Sequence, residues 1–183
     1  EHDPYGHGLR GDEPWRPISV FRTYEAHVMQ VRPWLPQEIG QVIFVALATA
    51  DLSVFIPFYA GLTPVPASWS KGTDQCDTES AYWKFRRLQT LAMTDYPKLA
   101  PIVHEAFAAF EAETSASQQR MEDEYLAPKA TREAAARSHL DAFNLNVIAE
   151  AEALAEKLLC RLFRIRTADI EALVPAKNRK NKD

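Results

Sequence analysis

The second half of the chain carries two long stretches of helical periodicity with a proline break between them. This constrains the fold more than any other feature. From residue 98 to 126, Leu99, Ile102, Val103, Ala106, Phe107 and Phe110 recur at spacings of three and four. Such spacing gathers apolar side chains on one helix face. Ala127-Pro128 ends the stretch, because proline removes a helix donor and crowds the preceding turn. Thr131 is placed to cap the second stretch, which carries Leu140, Phe143, Val147, Ala151, Leu154, Leu158 and Leu162. At 1.5 Å per residue each helix spans about 45 Å. A short connection folds the two back on each other as an antiparallel hairpin. The centre of the first, residues 111–119, is polar and rich in small residues, and reads as a part that projects into solvent. Thr167 is placed to cap a last short helix over residues 167–173.

The first half reads differently. Residues 1–17 are rich in Gly, Pro and charge and form a surface lead-in. Residues 18–60 read as strands. Val20, Phe21, Thr23, Tyr24, Val28 and Val31 give residues 18–32 the β-branched and aromatic content of a long strand. Neither of its alternating faces is cleanly polar, as in a strand covered in part on both sides. Pro33-Trp34-Leu35-Pro36 breaks it. Residues 42–50 are nearly continuously apolar, the mark of a buried strand, and residues 52–59 supply another after a bend at Asp51. Pro57 belongs at a strand end or edge, because it cannot donate to a ladder. Antiparallel pairing is the simplest arrangement of these pieces. Residues 61–77, with Pro64, Pro66 and Gly72, form an ordered loop. Residues 78–163 are helical. Their first helix, capped by Asp77 or Thr78, runs through Tyr82, Phe85, Leu88, Leu91 and Ala92 and ends before Pro97. The fold class is therefore α+β, a few antiparallel strands followed by a helix-rich half.

Charge and cysteine content exclude several function classes. The net charge is −4, and residues 177–183 contribute four basic side chains and one acid. With that basic tail, residues 176–183, set aside, 17 basic residues face 24 acidic ones, a charge of −7. A body so acidic repels phosphate backbones, so nucleic acid is not an expected partner. No apolar run approaches the ~18 residues of a membrane span. Cys76 and Cys160 form no CxxC pair, which points to free thiols in a reducing, cytoplasmic setting.

Candidate chemistry is sparse. His2, Asp3, His7 and Asp12 cluster in the lead-in, yet Gly-rich loops often carry such residues without a ligand, and no metal or other cofactor is expected. His104-Glu105 opens like a zincin motif, but Ala108 stands where the second His belongs. Cys160, among Leu158, Leu159 and Leu162, reads as a core thiol, protonated and inert. Asp74 and Asp77 flank Cys76 and would raise a thiol pKa rather than lower it. There is no GxSxG and no phosphate loop. Tyr82, Trp83 and Phe85 beside Arg86 and Arg87 suit ligand stacking, although aromatics at helical spacing are more often core.

Four phrases in order carry a resemblance. They are Arg16-Pro17-Ile18, Arg22-Thr23-Tyr24-Glu25-Ala26-His27, Ser53-Val54-Phe55-Ile56-Pro57-Phe58-Tyr59-Ala60-Gly61 and Ser80-Ala81-Tyr82-Trp83-Lys84-Phe85-Arg86-Arg87-Leu88. Together they resemble the N-terminal-nucleophile (Ntn) cysteine dipeptidases, the family of dipeptidase A and the secernins, over roughly residues 16–96. The resemblance implies an αββα sandwich of two stacked antiparallel sheets. It also implies dipeptide hydrolysis by a Cys at residue one of the mature chain. Such a Cys has its own α-amino group, titrating at about 7.7–8.0, as the nearby base. Glu1 is not that residue, so residues 18–175 are expected to be the C-terminal part of such a domain, without its nucleophile and inactive alone. Arg22, Ser53 and Tyr59 are the substrate-binding candidates. The expected partners are a dipeptide and either the N-terminal portion of the same protein or a second copy. The competing reading, motivated by the long hairpin, is a non-catalytic helical interaction module.

Overall fold

The computed structural model describes residues 19–60, 65–127 and 133–173. The expected lead-in, the basic tail and the Thr131 cap lie outside them. The architecture is α+β. Three strands, β1 (Glu25–Val31), β2 (Gln41–Leu47) and β3 (Ile56–Tyr59), form one antiparallel sheet in the order β1-β2-β3. A short helix, α1 (Gln37–Gly40), sits between β1 and β2. Three longer helices follow: α2 (Ala81–Ala92), α3 (Tyr96–Leu126) and α4 (Glu133–Ala172).

The first strand is shorter than expected from residues 18–32. Thr23 is the cause. Its Oγ1 accepts from Val20 N–H at 3.1 Å while its own N–H donates to Val20 C=O at 2.8 Å, closing a tight turn. Such local side-chain bonds compete with a ladder. Gln89 Nε2 (3.0 Å) and the Arg86 guanidinium both donate to Phe21 C=O and anchor that turn on α2. The expected strand over residues 52–59 is also trimmed. A 3-10 turn at Ala50–Leu52 and an extended link precede β3. Pro57 stands opposite Phe44 on β3, an edge strand of this sheet, as its missing donor requires.

The register divides the sheet into two faces. Val28, Phe44 and Pro57 lie in one row, with Gln30, Val42 and Tyr59 in the next. On this face Val42 and Tyr59 pack with Ile39, Leu140, Met121, Tyr125 and Phe143. The other face carries Leu47, Ile56 and Phe58, which join the main core with Phe85, Leu88, Leu99, Val103, Phe107, Ile148, Leu158 and Leu162. Fully burying one such side chain contributes about 1.5–3 kcal/mol.

Gly40 closes the β1–β2 connection. Its C=O accepts from Arg32 N–H at 2.7 Å, and a Cβ added there would lie 2.9 Å from Arg32 O and 3.3 Å from Leu35 O. Only glycine fits that approach of backbone to backbone.

The helices depart from expectation in four places. Neither Asp77 nor Thr78 caps α2. Ser80 precedes it and donates to Lys71 C=O at 3.0 Å, while Asp77 accepts from Glu79 N–H at 2.7 Å in a turn one step earlier. The 3-10 turn Met93–Asp95 links α2 directly to α3, and Pro97 sits in the first turn of α3, where no donor is needed. The centre of α3 faces solvent only in part: Ala112, Glu113, Ser115, Ala116 and Gln119 are exposed, while Thr114 and Gln118 are buried against the sheet. No separate helix covers residues 167–173. Thr167 Oγ1 donates to Phe163 C=O at 2.9 Å within α4, which runs unbroken to Ala172 and spans about 60 Å rather than 45 Å. Cys160 is exposed, not core. At 100° per residue it turns away from the stripe of Leu158 and Leu162.

Ion pairs fasten α4 along the other helices. Lys84 reaches Glu152 at 2.5 Å, Lys98 reaches Asp169 at 2.6 Å, and Arg87 pairs with Glu156. Ser68 Oγ (2.6 Å) and Trp69 Nε1 (3.0 Å) also donate to Glu152, which ties the loop before α2 to the bundle.

Candidate functional site

The polar groups that matter most are gathered where β1 ends and α3 approaches the sheet. Arg32 follows β1 directly. Its guanidinium donates to both carboxylate oxygens of Glu122, at 2.7 and 2.6 Å, and to Ile39 C=O at 2.5 Å. Tyr59 OH donates to Glu122 Oε1 and accepts from Gln118 Nε2 at 2.9 Å. Asn144, on α4, accepts from Tyr59 N–H at 3.1 Å and donates to Pro57 C=O at 3.3 Å. Two-pronged Arg–carboxylate contact is the stronger kind of hydrogen bond, and it fixes geometry as well as charge.

Electrostatics follow from this packing. Burial pushes the Glu122 carboxyl up, but donation from Arg32, then from Tyr59, outweighs it and holds the group below the ordinary carboxylate range. The bond to Glu122 raises Arg32 further, against its own desolvation. Burial, then the hydrogen bond to Glu122, pushes the Tyr59 hydroxyl well above its ordinary value. The cluster is thus an ion pair clamped by a neutral phenol. Its geometry ties the end of β1 and the β3 edge to α3. Arg32 Nε is buried without a partner among the described residues.

Beside this node a cleft of about 240 Å³ opens between the sheet and α3, lined by Phe44, Phe55, Pro57, Glu111, Thr114, Ser115 and Gln118. The α3 residues are spaced i, i+3, i+4 and i+7, one face of the helix. Glu111 Oε1 accepts from Phe55 N–H at 2.9 Å.

A second buried knot lies beyond the end of β2. Ala48 has φ 63°, a left-handed backbone that costs a non-glycine residue about 1–2 kcal/mol. Bonds on both sides hold it: Ala48 N–H to Tyr24 C=O at 2.7 Å, and Thr49 N–H to Gln89 Oε1 at 3.2 Å. Asp51, just beyond, accepts from Tyr96 OH at 2.7 Å and lies 3.5 Å from His104 Nε2.

The three candidates from the sequence are not brought into one site. Arg22 lies in the turn before β1, not on a strand. It is exposed, with its guanidinium carbon 5.6 Å from the Phe21 ring centroid. Ser53 is 6% exposed, and its Oγ has no partner among the described residues. Tyr59 alone joins a network, and the arginine it meets there is Arg32. Sequence reasoning missed Arg32, Gln118, Glu122 and Asn144. The available signal was the polar stripe 111–114–118–122 at helical spacing, which looks the same whether it faces solvent or a sheet. Cys76 is exposed, and among the described residues no group of three or more His, Cys, Asp or Glu could hold a metal ion. No helix of the described residues is long and apolar enough to cross a membrane.

Residues 1–108 match peptidase family C69. Among curated proteins, the chain is 51% identical over 71 residues to a protein named "Probable dipeptidase" from Salmonella dublin, covering 39% of this chain and 16% of that relative. It is 29% identical over 98 residues to "Probable dipeptidase B" of Lactococcus lactis subsp. lactis, covering 52% of this chain and 21% of the relative. It is also 29% identical over 82 residues to "Dipeptidase A" of Lactobacillus helveticus, covering 45% and 17% respectively. The chain therefore spans about a fifth or less of the length of these relatives.

Proposed function

This chain belongs to peptidase family C69, and from that premise we propose that it is the C-terminal portion of a cysteine dipeptidase whose nucleophile lies outside these 183 residues. The observation that carries the reading is the match over residues 1–108 together with relatives named as dipeptidases. The expected reaction is hydrolysis of the single peptide bond of a dipeptide by an N-terminal Cys, with the α-amino group of that residue as base. Neither cysteine of this chain suits the role. Both are internal residues, so neither carries the free α-amino group that would serve as the base.

In this reading the domain is an Ntn αββα sandwich, and residues 18–175 supply part of one sheet and its helical cover. The open outer edge of β1 receives strands from the N-terminal portion of the protein. Support comes from β1 itself, which is exposed along both faces and still carries Val28, Met29 and Val31. Arg22 is the residue best suited to hold the dipeptide carboxylate, because its exposed guanidinium offers paired donors. Ser53 and Tyr59, both buried and apart from Arg22, serve the scaffold in this reading.

The test is direct. Full-length protein should hydrolyse dipeptides, the 183-residue chain should not, and Cys76→Ala should leave the full-length rate unchanged. In the full-length enzyme Arg22→Ala should raise KM more than it lowers kcat. Hydrolysis by the 183-residue chain that disappears in Cys76→Ala would overturn the assignment.

A further inference from the structure

The stripe Glu111, Thr114, Ser115 and Gln118 faces the sheet, yet between it and Phe44, Phe55 and Pro57 the protein leaves the cleft of about 240 Å³. A helix face turned toward a sheet is ordinarily apolar, so a polar one lining a cleft offers hydrogen-bonding groups to a polar ligand. From the groups that line this space we infer that the cleft is a binding site for a primary ammonium ion carrying a small apolar or aromatic side chain. This inference goes beyond the peptidase reading and does not depend on it.

The lining is rich in acceptors. Glu111 uses Oε1 for Phe55 N–H, and Oε2 has no partner among the described residues. Gln118 is 8% exposed, and its Nε2 is committed to Tyr59 and Glu122. Its Oε1 has no partner among the described residues and belongs to a side chain that lines the cleft. Thr114, 7% exposed, adds a hydroxyl that can accept, and Ser115 adds another at the rim. Among the described residues no Lys or Arg lines the cleft. A carboxylate, a buried amide oxygen and two hydroxyls match the three donors of an ammonium group. Phe44 and Phe55 line the cleft and supply aromatic, apolar surface for the cation and its side chain. An anion would meet Glu111 with no counter-charge, and a neutral apolar ligand would leave the acceptors desolvated and unpaired.

Titration calorimetry of the full-length protein with benzylamine near neutral pH is expected to give saturable binding. Benzyl alcohol, of similar shape but uncharged, is expected not to compete. Glu111→Gln keeps an acceptor for Phe55 N–H and removes the charge, and should weaken benzylamine by about tenfold or more. Ser115→Trp, built from the exposed rim, fills the space without touching the Phe55–Glu111 bond and should abolish binding. The readout is binding, so it stands or falls separately from dipeptide hydrolysis. Equal affinity in Glu111→Gln, or equal binding of benzyl alcohol, overturns recognition of the ammonium. Absence of binding by the parent protein, or undiminished binding by Ser115→Trp, overturns the site. Should Glu111→Gln fail to fold, Ser115→Trp and the alcohol decide the matter.

Discussion

The two outer strands of the sheet are treated in opposite ways. β3 is buried along its length, with Ile56, Pro57 and Tyr59 in the interior and α4 alongside, where Asn144 bonds both Tyr59 N–H and Pro57 C=O. β1 is exposed on both faces, with Met29 and Val31 each 67% exposed. The contrast teaches which edge of the sheet the rest of the described chain covers and which it leaves open. Free edges with apolar side chains invite pairing, and proteins that leave them free blunt them with charge, proline or bulges. β1 has a charged residue only at its first position, Glu25, which is engaged with His27 at 2.7 Å.

If the Arg32–Glu122–Tyr59 node is what fastens the finished side, its removal should have the largest effect. Glu122→Ala leaves the Arg32 guanidinium, largely buried, without its carboxylate. Breaking a buried pair in this way costs about 3–5 kcal/mol. Urea unfolding of the 183-residue chain should show this loss, and a change under 1 kcal/mol would mean that the node does not hold β1 to α3. Gly40→Ala acts on the same junction through the backbone. A Cβ there must push against Arg32 O and Leu35 O, so about 1–3 kcal/mol should be lost, of the order of other overpacking changes.

How much of this contrast was legible in the sequence depends on the residue. The α+β class, the two long helices and the three strands follow from periodicity, because Leu99, Val103 and Phe107 can share a face only on a helix. The family likeness was legible too, since the phrases that carry it fall within residues 1–108. The node was not. Arg32 and Glu122 lie 90 positions apart, and no local rule pairs them. The 111–119 segment was legible only on its solvent side for a related reason: polar composition reports that a face is polar, not what it meets. Thr167 and Thr23 show the same limit at single residues. Each hydroxyl has a local bond as well as a capping or strand role open to it, and packing chooses between them.

A subtler change tests the electrostatics of the node. Tyr59→Phe keeps the ring against Phe143 and removes the donor to Glu122, with an expected loss of about 1–1.5 kcal/mol. The pH dependence has a definite sign. Glu122 is held below its ordinary 4.5, so its contribution is complete above that value and is lost as pH falls through the folded-state pKa. Tyr59 is raised above its ordinary 10.0, so its contribution is complete below 10.0 and is lost as pH rises through the folded-state value. The Tm of the parent should therefore fall at both extremes. In Tyr59→Phe the alkaline fall should shrink, and the acid fall should persist, because Arg32 still pairs with Glu122. An unchanged alkaline limb would remove Tyr59 from the node's energetics.

The smallest effect belongs on β1, and its smallness is the informative part. Met29→Lys replaces a side chain that already faces water opposite Ile43, so in the 183-residue chain it should change stability by no more than about 0.5 kcal/mol. In the full-length protein the same change should cost about 2 kcal/mol or more, if strands from the N-terminal portion cover β1 and bury that position. The ratio of the two costs measures how far the open edge is covered. Equal, small costs in both would mean that β1 stays an edge in the whole protein, and the asymmetry between β1 and β3 would then belong to the finished fold.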